Sequence, residues 1–494
     1  MTASRFYLAL ALLTATAACS SSSNNELARV TVIEDGASKI APARPDMHYA
    51  SASARAAIAK GLVAFDEQGR VVPALAVRWI VTDDGLSYIF RLHDAKWSDG
   101  RDITSERVAK LLKDRIRELE NSRLGDDLVA IDEIISMTGS VIEIRLNSPH
   151  PNFLQLLAQP EFGLFRSGHG AGPMQTVAKE KLFTLERFEN ATSDNGENDE
   201  ADESEPDPRR VTLRTERAAA AVARYAAGHT DIILNGKFQQ LPLLEAASIN
   251  SGDIKLDPVA GLFGLKFVRA EGFWGNAKNR ELLAMAIDRP ALLTSFPAVT
   301  AWQARQKIIP EALDVADIDT RPDWADMTLD ARRAFASDQV SKWKAANGQI
   351  EPLSIILPQG AGSRILFARI KADLQRVGMD AVRVASGKSS DVILIDEIAP
   401  YDSAQWFVSR LTCKHTVVCM AEADNAIKAG ENSANLNGKA RFFAEAERLL
   451  VQHYNYIPLA VPVRWSLVRS GRDGFGVNSR GWHPLNTLVG IPIS

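Results

Sequence analysis

Residues 71–104 read VVPALAVRWIVTDDGLSYIFRLHDAKWSDGRDIT, and their pattern decides how the rest of the chain is read. Leu86, Tyr88, Phe90 and Leu92 recur at every second position with Ser87 and Arg91 between them. That is the period of a half-buried strand, although Ile89 interrupts the polar face. Asp83-Asp84-Gly85 ahead of it signals a turn, because carboxylates bond nearby backbone amides and glycine accepts positive φ. Residues 76–81 are a second extended run, so the pair predicts a hairpin about Asp84-Gly85. Ser98-Asp99-Gly100 makes another turn, and Thr104 caps a helix with Val108, Leu111, Leu112, Ile116 and Leu119 on one face. Ile103 and Val108 occupy the two positions of a hydrophobic staple at its start. By themselves these features describe an α/β surface module.

Outward from this stretch the same two periods alternate. Residues 27–34, 141–146, 261–268, 353–357, 381–384 and 392–395 read as strands. Helices are expected at 153–157, 215–228, 279–293 and 442–450, and Leu366, Ile370, Leu374 and Val377 make another helical stripe stopped by Gly378. Asp288 is placed to cap a helix that tolerates Pro290 in its first turn. Residues 353–395 thus form a βαββ unit. Residues 190–208 differ in kind. Eight carboxylates lie between Asp194 and Asp207 with no basic residue among them, and without them the net charge of −4 would be +4. The regular carboxylate spacing of a calcium loop is missing, so the run reads as a disordered surface insertion.

At 494 residues the chain has room for two or three domains. A net charge of −4 gives no electrostatic case for nucleic acid. Arg5, an apolar run at 6–13 and small residues at 14–18 read as a secretory signal peptide, residues 1–18. Thr16-Ala17-Ala18-Cys19 looks like a lipobox, which would make Cys19 the lipidated end of a polar tether over 19–26. The alternative is an ordinary cut after Ala18 with Cys19 incidental. In an oxidising compartment the remaining cysteines, Cys413 and Cys419, most simply close a short loop as a disulfide. The competing use, Cys413, His415 and Cys419 as metal ligands, lacks a fourth ligand, so no metal and no cofactor is expected. Gly168 to Pro173 (GHGAGP) has no Lys-Ser/Thr after its glycines and is no phosphate loop. There is no G-x-S-x-G elbow and no H-E-x-x-H helix, so nothing local supports an enzyme or names a catalytic residue.

As a pattern, P-x-L-A-x-x-W, D-D-G-L-x-Y-x-F-x-L and K-W-S-D-G-x-x-I-T in residues 73–104 resemble family 5 bacterial extracellular solute-binding proteins, the peptide- and nickel-binding subunits of ABC importers. The helix NRELLAMAIDRPALL at 279–293 is a second specific match, and weaker ones run to His483-Pro484-Leu485. Gly170-Ala171-Gly172-Pro173-Met174 resembles the family's G-T-G-P-Y element, where the chain crosses back between lobes, with Met174 in place of Tyr. The resemblance implies an α/β, two-lobed periplasmic-binding-protein-like fold of class II type with an extra subdomain. Lobe I would take 27–48, 168–258 and 459–494, the subdomain 49–167, and lobe II 261–458.

It also implies a function: capture of a solute, an oligopeptide or dipeptide, and delivery to ABC permease and ATPase subunits from an extracytoplasmic, lipid-anchored position. Peptide binders of the family hold the ligand's amino group on the Asp of an A-D-Y motif. The matching residues are Ala399-Pro400-Tyr401, and Pro400 cannot supply that charge. Asp402 or Glu397 could compensate, and Trp406 could line the pocket. Equally, Asp402 could merely cap a helix over 403–411 and Trp406 could be core. The A-P-Y-D order also resembles the nickel-binding branch, which keeps a nickel chelate or an opine open as ligand. A hydrolase, or a tethered sensor that has lost transport, are the readings from other classes.

Overall fold

A computed structural model describes residues 26–35, 39–44, 47–177, 182–188, 209–313 and 318–493. The signal peptide, Cys19 and the acidic run 190–208 lie outside the described residues.

The hairpin in the opening stretch forms as its turn chemistry dictates. Gly85 takes φ +68°, Asp84 Oδ1 accepts from the Leu86 amide at 3.0 Å, and the Thr82 amide donates to the Ser87 carbonyl at 3.0 Å. Strand Ala76–Val81 then pairs antiparallel with Ser87–Leu92, Trp79 opposite Phe90. Tyr88, Phe90 and Leu92 are buried on the face covered by helix Ser105–Leu119, each large side chain contributing about 1.5–3 kcal/mol of burial. The helix stripe is narrower than its periodicity suggests. Val108, Leu112 and Leu119 are buried, whereas Leu111 and Ile116 are half-exposed. Arg115 is drawn inward instead, its Nε donating to the Glu161 carbonyl at 2.6 Å.

Among the described residues the strands form three larger sheets and a small ribbon. The first sheet has the order Ile254–Asp257, Arg464–Val468, Ile232–Lys237, Leu27–Ile33, Arg210–Glu216, Phe183–Arg187, Met174–Thr176. Its three inner strands Ile232–Lys237, Leu27–Ile33 and Arg210–Glu216 run parallel. The second has the order Ala381–Val384, Leu353–Ile356, Val392–Ile398, Gly261–Phe267, Tyr456–Ala460. The hairpin belongs to the third, with Val141–Leu146 and Ile131–Ser136. One expected helix starts late: Thr215 and Glu216 stay in the parallel ladder opposite Val32 and Ile33, so the helix is Ala218–Ala226.

The chain passes from the first sheet to the second through 258–260 and returns through 461–463. The strands on each side of these crossings pair with each other, Ile254–Asp257 with Arg464–Val468 and Gly261–Phe267 with Tyr456–Ala460. Two boundaries differ from the sequence reading. Leu459 and Ala460 remain in the second sheet, so the return falls after them. Helix Tyr49–Ile58 buries Ala50, Ala54 and Ala57 in the core of the first sheet, and its Arg55 Nε donates to the Gly163 carbonyl at 2.9 Å, so it joins the first sheet's core as well as the residues that follow. The third sheet also shares one apolar cluster with Tyr401, Trp406 and Phe407 of the region around helix Ala404–Ser409, a contact that decides where the candidate site residues point.

Candidate functional site

Strand Val392–Ile398 ends at the crossing, and the loop after it carries the residues that the sequence singled out. They divide into two groups. Glu397, Pro400 and Trp406 line a cavity of about 460 Å³ whose walls come from both sheets, a volume that suits a small-molecule or short-peptide ligand. Tyr401 and Asp402 turn the other way, toward the third sheet and the helix that follows it.

Tyr401 is fully buried, and its hydroxyl donates to Asp127 Oδ1 at 2.6 Å. The Asp402 carboxylate accepts from Gln155 Nε2 at 3.1 Å and from Arg480 Nη2 at 2.5 Å. Its backbone amide donates to Gln155 Oε1 at 2.9 Å, and the Pro400 carbonyl accepts from Gln159 Nε2 at 2.6 Å. The helix Ala404–Ser409 has Ser403 at its N-cap with no side-chain cap bond, so Asp402 does not cap it. The reason is competition: Arg480, whose side chain is 6% exposed, needs a carboxylate and takes this one. Trp406 is 2% exposed, with Arg410 above its ring at 5.3 Å and Phe407 edge-on at 5.0 Å. It is therefore both core and cavity wall.

The charged residues on the cavity's wall are mostly cations. Arg464 Nη1 donates to Asp396 Oδ1 at 2.7 Å, and Arg123 bonds Glu161 Oε1 at 2.8 Å. Arg410 lies 3.6 Å from Asp127, and His415 Nε2 meets Asp126 at 2.6 Å. Lys266 donates only to carbonyls, those of Arg410 at 3.0 Å and His415 at 2.9 Å. Lys237 Nζ has no hydrogen bond or ion pair among the described residues, nor does the carboxylate of Glu397, which is exposed. Burial pulls the Lys237 ammonium below the usual lysine range; nearby Arg464 adds to the pull, and Asp396, Asp35 and Glu34 oppose it. Burial likewise lowers Lys266, against the attraction of Glu397.

Backbone geometry places Lys237. Asn235 takes φ +66°, and Gly236 lies against Trp465, whose ring atoms would be 2.1 Å from a Cβ there. Trp465 Nε1 in turn donates to the Lys237 carbonyl at 3.0 Å. Cys413 and Cys419 are joined as a disulfide, closing the loop that presents His415 to the cavity. Their sulfurs are consumed in that bond. No group of three or more His, Cys, Asp or Glu among the described residues is placed to hold a metal.

Sequence reasoning did not pick out Lys237, Lys266, Arg464, Arg123 or Arg410. A signal existed for three of them: Lys266 is the lone charge in GLFGLKFV, Arg464 the lone charge in LAVPVRWSLV, and Lys237 follows an apolar strand ending in Asn-Gly. A single cation in a strand buried on both faces must find an anion or a carbonyl.

Comparison with known proteins gives this architecture its class. The profile of bacterial extracellular solute-binding proteins, family 5 Middle, matches residues 70–389, and the chain belongs to this family. The periplasmic murein peptide-binding protein MppA of Escherichia coli (strain K12) is 22% identical over 482 residues, 85% of each chain. Among solved structures, Haemophilus influenzae OppA in complex with RPPGFSPFR superposes with TM-score 0.73 at 15% identity, covering 94% of this chain and 99% of that one. NikA of Brucella suis in complex with Fe(III)-EDTA does so equally, TM-score 0.73 at 17% identity, covering 94% and 100%. These structures share the periplasmic-binding-protein fold with the chain, whatever each of them binds. No helix among the described residues is long and apolar enough to cross a membrane.

The Tyr401–Asp127 contact has a pH signature. Burial pushes the Asp127 carboxyl up to about 6, although the Tyr401 hydrogen bond and Arg410 favour its ionised form. A raised carboxyl stabilises the fold below its unfolded value and loses that contribution as pH climbs from about 4 to 6. Buried His150, whose ring lies 5.2 Å from that of Tyr401 and whose value is pulled down to about 4, acts in the opposite direction. Asp127→Asn keeps the acceptor for Tyr401 and leaves His150 unchanged, so the comparison isolates Asp127. Relative to the variant, the wild type should lose about 2 kcal/mol of stability between pH 4 and pH 7. Chemical denaturation at the two pH values checks this, and parallel pH profiles would contradict it.

Proposed function

We propose that the chain captures a short peptide between its two large sheets and delivers it, unconverted, to a membrane permease driven by separate ATPase subunits. The observation that carries this reading is the cavity itself: about 460 Å³, walled by both sheets, and set beside the two crossings about which the sheets can close. Family membership supports it, as do relatives whose names specify peptides, MppA and a probable di/tripeptide-binding protein of Pseudomonas aeruginosa. In this reading lobe I is 27–58, 168–258 and 461–494, the subdomain is 59–167, and lobe II is 261–460. Glu397, Pro400 and Trp406 contact the ligand, while Tyr401 and Asp402 brace the loop that carries them.

A second reading, a non-peptide solute such as a nickel chelate or opine, draws on one observation. Pro400 stands where peptide binders have their amino-group carboxylate, and the nearby Asp402 is already engaged by Arg480. Thermal denaturation of purified, refolded protein separates the two. A peptide pool at a hundredfold its dissociation constant should raise the midpoint by about 3 °C, since only the native state binds. A rise with nickel chelates or opines and none with any peptide pool would replace the first reading by the second.

Signal-peptide removal and lipidation at Cys19 complete the proposal, placing the protein outside the cytoplasm on a membrane surface by its acyl chains. Cys19→Ala should move it from the membrane fraction to the soluble extracytoplasmic fraction. An unchanged distribution would remove the anchor from the account.

A further inference from the structure

Charge bookkeeping within the cavity narrows the ligand class. Three of the cations on its wall already have a carboxylate in the protein: Arg464 has Asp396, Arg123 has Glu161 and Arg410 has Asp127, while His415 bonds Asp126, which Lys414 also binds. Asp402, outside the wall, is likewise matched by Arg480. Among the described residues, three charges then face the cavity without an opposite charge bonded to them: Lys237, Lys266 and Glu397.

The three differ in what they offer. Lys237 has all three ammonium donors to give. Lys266 spends two on the carbonyls of Arg410 and His415, which fix its position and leave one donor. Glu397 can only accept while ionised, and it faces the cavity from the strand beside Gly261–Phe267, on which Lys266 lies. Together they carry two positive charges and one negative. A solute that satisfies all three brings two anionic groups and one cationic group, hence a net charge of −1. Such groups form charge-assisted hydrogen bonds with these three side chains.

We propose that the site selects short peptides bearing one acidic side chain. Lys237 and Lys266 receive the ligand's two carboxylates, and Glu397 receives its free ammonium. This rests on the peptide-capture reading above and deepens it. Neutral peptides satisfy only one of the two lysines. Peptides with a basic side chain add a cation to a wall that already repels it.

Isothermal titration of purified, refolded protein with Ala-Glu-Ala, Ala-Ala-Ala, Ala-Lys-Ala and N-acetyl-Ala-Glu-Ala tests the assignment. Ala-Glu-Ala should bind at least about tenfold more tightly than Ala-Ala-Ala, Ala-Lys-Ala should bind most weakly, and acetylation should cost about tenfold. Lys237→Met should bring Ala-Glu-Ala down to the level of Ala-Ala-Ala, and Lys237→Arg should keep the preference, which separates lost charge from lost folding. Glu397→Gln should abolish the effect of acetylation. Equal binding of the acidic and neutral peptides, or tighter binding of Ala-Lys-Ala, overturns the charge assignment while leaving peptide capture intact. Failure of all four peptides to bind folded wild-type protein overturns peptide capture itself.

Discussion

The ion pair between Arg464 and Asp396 is the constraint around which the molecule is arranged. Arg464 opens the strand that follows the return crossing, and Asp396 lies near the end of the neighbouring sheet's central strand, so the pair joins the first sheet to the second. Both side chains are about nine-tenths buried, and Arg464 also donates to the carbonyls of Asp396 and Val463. A pair so deeply placed gains little net stability, because desolvation offsets most of the attraction. What it imposes is geometry, since neither charge tolerates the loss of the other. The first crossing is tied down in a similar way. Asp257 accepts from the Asn478 amide at 3.0 Å and meets His483 at 3.1 Å, which fastens the C-terminal segment to the strand that leaves the first sheet.

Once that junction is set, the site's electrostatics follow. Lys237 sits near Arg464 and is held there by the Asn235-Gly236 backbone and Trp465, so it cannot share the Asp396 charge on equal terms. Lys266 is committed to the carbonyls of the disulfide-closed loop and the helix before it. The loop after Glu397 is gripped by Asn152, Gln155 and Gln159 from the third sheet's side. These three side chains thus act on the candidate site indirectly, by fixing which side chains of the loop face the cavity. Family membership and cavity geometry point to solute capture; the residual charges point to which solutes.

Most of the fold was legible in the sequence because burial acts on local pattern. The hairpin about Asp84-Gly85, the strand with Tyr88, Phe90 and Leu92 inward, and the helix with Leu366, Ile370, Leu374 and Val377 buried all follow from two periods and their turn residues. The disagreements arose where distant partners decided. Thr215 and Glu216 stay extended because Leu27–Ile33 offers them a parallel ladder. The candidate site was half legible. Glu397, Pro400 and Trp406 do line the cavity, but Tyr401 and Asp402 are turned away by Asp127, Gln155 and Arg480, none of them near in sequence. Lys237, Lys266 and Arg464 each stood out as a lone cation beside apolar residues. Nothing local indicated that sheet order would bring the three to one cavity.

The central claim is that the cavity between the first and second sheets holds the solute through the charges that have no bonded counter-charge among the described residues. A crystal structure of the protein grown with an acidic tripeptide tests it most directly. The account predicts peptide density in this cavity, one carboxylate within ion-pair distance of Lys237, the ammonium beside Glu397, and the Asp402–Arg480 pair intact. Peptide bound elsewhere, or in this cavity with its ammonium on Asp402 and Arg480 displaced, would contradict it.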